Sequence, residues 1–443
     1  MQYGCIMKSA GIKTGRTVLL PVRIAVVFCL CAAVSAQTIS ISDIPSGFAG
    51  YNAPSPFGGT PEKTYTVSTK TDLVKYAQKG GCVIYIDGMI DMTEGMLPAS
   101  YDGSSPALDA FISKKTNGKY STYASLRNAY AAACTVTTDD GSSSSPQSAA
   151  GNTLWTLNKA YGNMIEIHVA SNTSIIGSSA ACGIKGGSFI ISGVSNIALR
   201  NLTICDAYDP FPHHEKNDGY NAQHDCITVQ GTTSNIWIDH CTLEDTFSSF
   251  VHVQTGGTAD EKWQTYDGLC DIKGSAKSVT VSYCRFMNHD KTMLIGSSDS
   301  ESFSGTRSIT LHHNYYYNCI QRLPMVRLST IHIYNNYYDA DSSSYQNAYA
   351  VGVRYNSRIV SENNYFGKGI RYSYRGTTSK QGTVYYTGDT DNSSAGKKTD
   401  EFKKVSSGPF NPADFYAYTA EDASSVKDTV TANAGAGVWT VQK

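Results

Sequence analysis

The stretch QRLPMVR, residues 321–327, sets Arg322 and Arg327 five positions apart around a proline, between two runs that otherwise read as apolar strand. Upstream lie three carboxylates, Asp225, Asp267 and Asp271, and one further base, Lys291, in HDCITVQ, YDGLCDIKG and NHDKTMLIG. Carboxylates of this kind suit a hard cation such as Ca²⁺, completed by water or by a ligand's own carboxylate. The bases suit an acidic polymer, gripped by charge-assisted pairs. Taken singly, each of these residues reads first as a solvated charge on a turn. Whether they do chemistry depends on the elements that position them.

Those elements repeat. From residue 195 the chain carries one short phrase six times: SNIALRNLTI, SNIWIDHCTL, KSVTVSYCRF, RSITLHHNYY, STIHIYNNYY and SRIVSENNYF. Each alternates β-branched or apolar residues and then places Asn or Cys before a large apolar residue. One column of the alignment reads Asn201, Cys241, Cys284, Asn314, Asn336, Asn364. Loops of varying length around a constant short strand predict a solenoid, here an all-β parallel β-helix. Successive rungs stack about 4.8 Å apart, so like residues form ladders. An inward Asn ladder satisfies buried turn backbone with side-chain amides. Cys241 and Cys284 are expected to be two buried thiols and not a bridge, because stacked side chains point in parallel.

In a solenoid, residues of equal phase on successive coils are neighbours. Asp225 and Asp271 each precede an Ile, a Gly and a ladder Cys, which predicts one face, one rung apart. Asp267 joins them if Gly268 permits a helical turn, since side chains four apart then approach to about 6 Å, against about 13 Å in a strand. The next coils carry Lys291, then Arg322 and Arg327. His312 and His313, adjacent on a strand, are expected to point to opposite faces, and His240 to be structural.

Elsewhere TKTDLVKYAQKGG (69–81) predicts a short helix capping the N-terminal end of the stack. Residues 95–160, with the low-complexity DDGSSSSPQS, read as an insertion or long loop without legible chemistry. Residues 405–443 predict a tail packing on the outside of the stack, with a short helix and an extended return. Residues 1–36 combine Lys8, Lys13, Arg16 and Arg23 with an apolar run and a small-residue site, the pattern of a secretory signal peptide. The run is too short for a stable membrane anchor. Residues 37–443 are then one domain, and without the leader 32 basic residues face 37 acidic ones, a net charge of −5. That balance argues against nucleic acid as a partner. No CxxC spacing suggests zinc.

With YNAQHDCITV, IWIDHCTLED, YDGLCDIKGS, SVTVSYCRFMNHDKTMLIGSSDS, ITLHHNYYYNCIQRLPMVR and IHIYNNYYDA in this order, the chain resembles the pectate lyase family of secreted polysaccharide lyases. The resemblance implies a right-handed single-stranded parallel β-helix and Ca²⁺-dependent β-elimination of α-1,4-linked polygalacturonate, the pectate of plant cell walls. It implies Asp225, Asp267 and Asp271 as calcium ligands, Arg322 as the catalytic base, and Lys291 and Arg327 as binders of substrate carboxylate. It further implies a secreted, extracellular monomer. Gln223 departs from the pattern: many relatives carry an acid there. The alternatives are a pectin lyase acting on methylated polymer, from which the three retained acids argue away, and a non-catalytic polysaccharide-binding β-helix, which has no reason to hold Lys291 and Arg322 in register with acids.

Overall fold

Every repeated phrase folds as one strand of an eleven-stranded parallel sheet. Ser234–Asp239 pairs with Lys277–Ser282, that strand with Arg307–His312, and that in turn with Ser329–Tyr334. The alternation decides the facing: Ile236, Ile238, Val279, Val281, Ile309 and Leu311 are fully buried in the coil's interior. After each long strand the chain turns into a short strand of a nine-stranded sheet, then crosses to an eight-stranded one. All three sheets are parallel along the stack, and the result is a right-handed parallel β-helix. The structure, a computed structural model, describes residues 37–100, 103–134, 151–215, 219–247 and 263–443. The expected signal segment, 1–36, lies outside the described residues, and Gln37–Lys443 forms one compact unit.

The turn between the long sheet and the nine-stranded sheet holds the ladder. Asn336 Oδ1 accepts from Asn314 N and Nδ2, both at 3.0 Å, while Asn336 Nδ2 donates to Leu311 O, Tyr334 O and Asn364 Oδ1. Cys284 N donates to Asn314 Oδ1, and Cys241 N points to Cys284 Sγ at 3.4 Å. Both cysteines are free thiols, as parallel stacking requires. The first rung corrects the alignment by one residue: Asp239 pairs with Arg200, so Leu202 holds the ladder position and Asn201 falls beside His240. Both of these take the left-handed backbone conformation, with φ of 55° and 50°. That conformation is tolerated best by Asn and other short polar residues.

His313 (φ 55°) occupies this same turn position. Strand alternation ends there, so His312 and His313 do not point to opposite faces: their Nδ1 atoms lie 2.9 Å apart. His240 stacks on Tyr283, and Tyr283 on His313, a structural column as expected for His240. Replacing Asn336 by Ala is expected to cost about 3 kcal/mol, since it strands the backbone N–H of Asn314 and removes the other four hydrogen bonds of the Asn336 amide. Equilibrium urea denaturation measures this, and a loss below about 1 kcal/mol would remove the ladder from the list of main stabilisers.

Helix α1 (Lys70–Lys79) is capped by Thr69, whose side chain accepts from Asp72 N, and ends at Gly80. Its Leu73 and Ala77 enter the main core beside the first rungs. Within 95–160, expected as an insertion or long loop, the described residues are largely helical. They build α2 (Pro106–Lys115) and α3 (Tyr123–Cys134), and α4 (Gly151–Ile165) extends past the expected boundary. Leu108 and Ile112, Leu126 and Tyr130, and Leu154, Leu157 and Tyr161 recur at helical spacing and form a second apolar cluster with Tyr220 and Trp263. Low-complexity sequence between α3 and α4 hides that period. The C-terminal helix α5 (Ala423–Asn433) and the strand Thr440–Gln442, paired with Thr38–Ser40, return along the outside. There Gly437 N donates to Asn201 Oδ1, and Asn335 Nδ2 donates to Glu421 O. Among the described residues no helix is long and apolar enough to cross a membrane.

Candidate active site

Strands Arg285–Lys291 and Tyr315–Gln321 of the nine-stranded sheet run in register, with Lys291 opposite Gln321. Arg322 is therefore the first residue past the sheet, in left-handed conformation (φ 61°), which turns its side chain out of the strand direction. Its carbonyl accepts from Met293 N, which ties the turn to the rung below. The guanidinium of Arg322 has no ion-pair or hydrogen-bond partner among the described residues, and its Nε is buried. A buried unpaired donor costs about 1 to 3 kcal/mol, and such unmet groups concentrate at working sites. Arg327 follows the two-residue strand Met325–Val326. It is anchored by Asp299, at 3.0 Å from Nε, and by Gly296 O.

The carboxylates come together differently from the reading of the sequence. In the eight-stranded sheet Asp271 pairs with Thr228, not with Asp225. Asp225 stands three residues earlier, opposite Gly268, whose N–H donates to its Oδ1 at 2.9 Å. The two carboxylates still converge, because both lean on Lys273: its Nζ lies 3.1 Å from Asp225 Oδ2 and 3.2 Å from Asp271 Oδ2. A Cβ added at Gly268 would come within 2.7 Å of Oδ1 of both aspartates, so only glycine leaves this cradle open. Asp267 does not complete the cluster. No helical turn forms, the segment stays irregular up to the strand Cys270–Ile272, and Asp267 pairs with Lys291 at 2.7 Å. Among the described residues no three His, Cys, Asp or Glu side chains are gathered as a metal cage.

Burial and the charge of Asp225 push the Asp271 carboxyl up to about 7. Asp267 moves the other way: burial would raise it, but the Lys291 ammonium outweighs burial and holds it below the usual carboxylate range. Lys273 is pushed up by the two acids it bridges, against its own desolvation. Two buried carboxylates sharing one flexible lysine make a surplus of negative charge that a hard divalent ion can answer. The donor set fits calcium once Lys273 swings away, and a quarter of that side chain is already exposed. Sequence reading passed over Lys273. Its signal was its place two residues after Asp271, on the same face of a strand.

Lys291 is almost wholly buried and donates to Asn221 Oδ1 and Gln264 Oε1 as well as to Asp267. Those acceptors flank Tyr220 and Trp263, which pack against the helical insertion. The insertion thus backs the segments that hold Lys291, a role its sequence did not disclose. On the other side Arg322 and Arg327 open into a pocket of about 570 Å³ that also takes in Arg354, Arg375 and Tyr349. Neither of those further arginines stood out in the sequence, since each lies outside the repeated phrases.

The chain has counterparts in sequence and in fold among known proteins. The family model described as pectate lyase matches residues 127–439. The pectate lyase of Bacillus subtilis is 41% identical over 207 residues, 45% of this chain and 48% of that protein. The matched segment thus spans about half the length of that relative. Pectate lyase D of Dickeya chrysanthemi is 36% identical over 282 residues, 61% of this chain and 71% of that protein. In fold the chain is similar to the pectate lyase of Acidovorax avenae subsp citrulli, with a TM-score of 0.74 at 24% identity over 93% of this chain and 99% of that one. A structure titled "Pectate lyase bound to hexasaccharide" superposes with a TM-score of 0.68 at 27% identity, covering 92% of this chain and all of the other. By the family model's span and by the coil itself, the chain belongs to the pectate lyase family.

Proposed function

We propose that the protein is a calcium-dependent pectate lyase that cleaves α-1,4-linked polygalacturonate by β-elimination, with Arg322 as the base. The observation that carries this reading is the unpaired, half-buried guanidinium of Arg322 placed one rung from the Lys291–Asp267 pair. Arg322 takes the proton from C5 of a galacturonate, whose electrons form the C4–C5 double bond as the C4–O bond to the next sugar breaks. The departing oxygen takes up a proton from solvent, and the product carries an unsaturated end.

Abstraction at C5 leaves negative charge spread onto the uronate carboxylate, so preorganised positive charge lowers the barrier. Lys291, on the rung before Arg322, and Arg327, in the same pocket as Arg322, supply it and orient the sugar acid. Asp225 and Asp271 would hold the calcium ion, with Asp267 as a third donor once it leaves Lys291, and the bound ion would neutralise the same carboxylate. Lys291 and Lys273, which balance these acids here, would then be free to face the polyanion. A free guanidinium is protonated at neutral pH, so the rate rises into the alkaline range. An optimum in acid would count against Arg322 as the base. We place the enzyme outside the cell as a monomer, after removal of residues 1–36, where the cell-wall polymer is found.

The deciding assay follows ultraviolet absorbance of polygalacturonate with the protein, with and without a chelator. Absorbance of an unsaturated product should rise only when calcium is free. Saturated oligosaccharides, or no cleavage at all, would end the lyase reading.

A further inference from the structure

A separate cavity of about 560 Å³ opens on the outside of the eleven-stranded sheet. Its floor is the sheet itself. Ser308 Oγ accepts from Ser278 N at 3.2 Å, Ser308 pairs with Thr330, and Thr330 with Arg358. The floor thus carries one hydroxyl per rung and then a guanidinium, while Lys277 stands at the other end, beside Ser278. Thr330 follows Arg327 by only three residues, so the cavity lies around one corner of the coil from the groove.

Two segments outside the coil wall this floor. Residues 48–52 are pinned to it by Phe48 N and Ala49 N, which donate to the hydroxyls of Thr310 and Thr280, both at 3.0 Å. From the C-terminal segment Phe415 packs on Phe48, with ring centres 5.1 Å apart, and meets Tyr51 edge-on at 5.3 Å. Phe48 is buried and fixes the base of the cluster, yet Tyr51 and Phe415 stay 38% and 36% exposed. Large rings left open at the lip of a cavity gain by being covered.

Charge says what covers them. The lining holds Lys277 and Arg358 and no Asp or Glu, although residues 37–443 carry a net charge of −5. Neither cation has a carboxylate partner among the described residues, and Arg358 donates to a carbonyl, Pro409 O. Their strands are three rungs apart, about 14 Å at the spacing of paired strands. A single sugar acid is too short to reach both. A chain of several uronates offers carboxylates to two separated cations, ring faces to Tyr51 and Phe415, and hydroxyls to the row of Ser and Thr.

We propose that this cavity is a second, non-catalytic binding site for an acidic oligosaccharide, which holds one stretch of polyuronate on the sheet face while the groove acts on another. The inference rests on the polyuronate reading above for its choice of sugar acid. Joining two sites on one polymer makes the second contact intramolecular. The benefit should therefore appear with polymer and vanish with a ligand that fills the groove alone.

Calorimetric titration of the slow-turnover Arg322→Lys protein in calcium with hexagalacturonate should show two equivalents bound. Adding Lys277→Gln and Arg358→Gln, both at exposed positions, should leave one. Tyr51→Ala, which keeps both charges, should weaken the second event about tenfold. Cellohexaose, with similar ring faces and no carboxylate, should bind there at least about tenfold more weakly than the acid. With Arg322 intact, the two charge substitutions should raise KM for polygalacturonate about tenfold, leave kcat in place, and leave trigalacturonate kinetics unmoved. A single equivalent in the parent, two equivalents kept by the charge variant, or equal binding of the neutral hexamer would overturn the proposal. The lyase reading fails separately: two equivalents bound, with no unsaturated product from wild-type protein, would refute the elimination and leave the second site standing.

Discussion

Arg322→Lys should lower turnover on polygalacturonate by about a thousandfold, within the range that a positioned general base contributes. Lysine keeps the positive charge, so the affinity for polymer should change little and the loss should fall on kcat. Backbone strain does not confound the comparison, because lysine and arginine meet the same steric cost at the left-handed φ of 61°. What changes is the planar fork and its reach into the pocket. Wild-type rates should also climb with pH, and the residual rate of the variant should not follow the same curve. Rates measured at saturating polymer across neutral and alkaline pH decide it: a variant keeping more than about a tenth of wild-type kcat would move the base elsewhere.

The second large effect concerns Asp271→Asn. Asparagine keeps an oxygen to accept from Leu294 N, which Asp271 Oδ1 does at 2.9 Å, so the local backbone should hold. The charge is lost. Calcium affinity should fall by at least about a hundredfold, the upper end of the loss when only a group supporting a metal's ligands is changed, and kcat/KM at limiting calcium should fall with it. Thermal melting gives a reading independent of turnover. Calcium should raise the wild-type Tm, since an ion at a hundredfold its Kd adds about 2.7 kcal/mol, and should scarcely move the variant. In chelator the order should reverse or vanish, because the variant no longer sets two buried carboxylates, Asp225 and Asp271, against each other. Equal calcium-induced shifts in both proteins would place the ion away from Asp271.

The sequence by itself determined the coil, and the reason is local. Alternation such as Ile236, Ile238 and Val279, Val281 commits each phrase to a strand with one dry face, and six such phrases can bury those faces only on one another. The caps Thr69 and Gly80, the ladder residues from Cys241 to Asn364 and the position of Arg322 just past a strand were legible for the same reason: each depends on residues within a few positions. The helical insertion was less so, since its period is broken by a run of Ser and Gly.

Only the tertiary structure decided which rung faces which. The loops between strands vary in length, and a one-residue slip in register moves a side chain to another face. That is why Asn201 leaves the ladder for the turn position, why Asp271 sits against Thr228 while Asp225 reaches it from three residues earlier, and why His313 swings onto His312. It is also why Asp267 finds Lys291 in place of the other two acids. Lys273 between Asp225 and Asp271, and Arg354 above Arg327, are contacts across coils whose intervening chain carries no rule of spacing. The types of residue announced a polyanion chemistry, but the winding of the coil chose which of them touch.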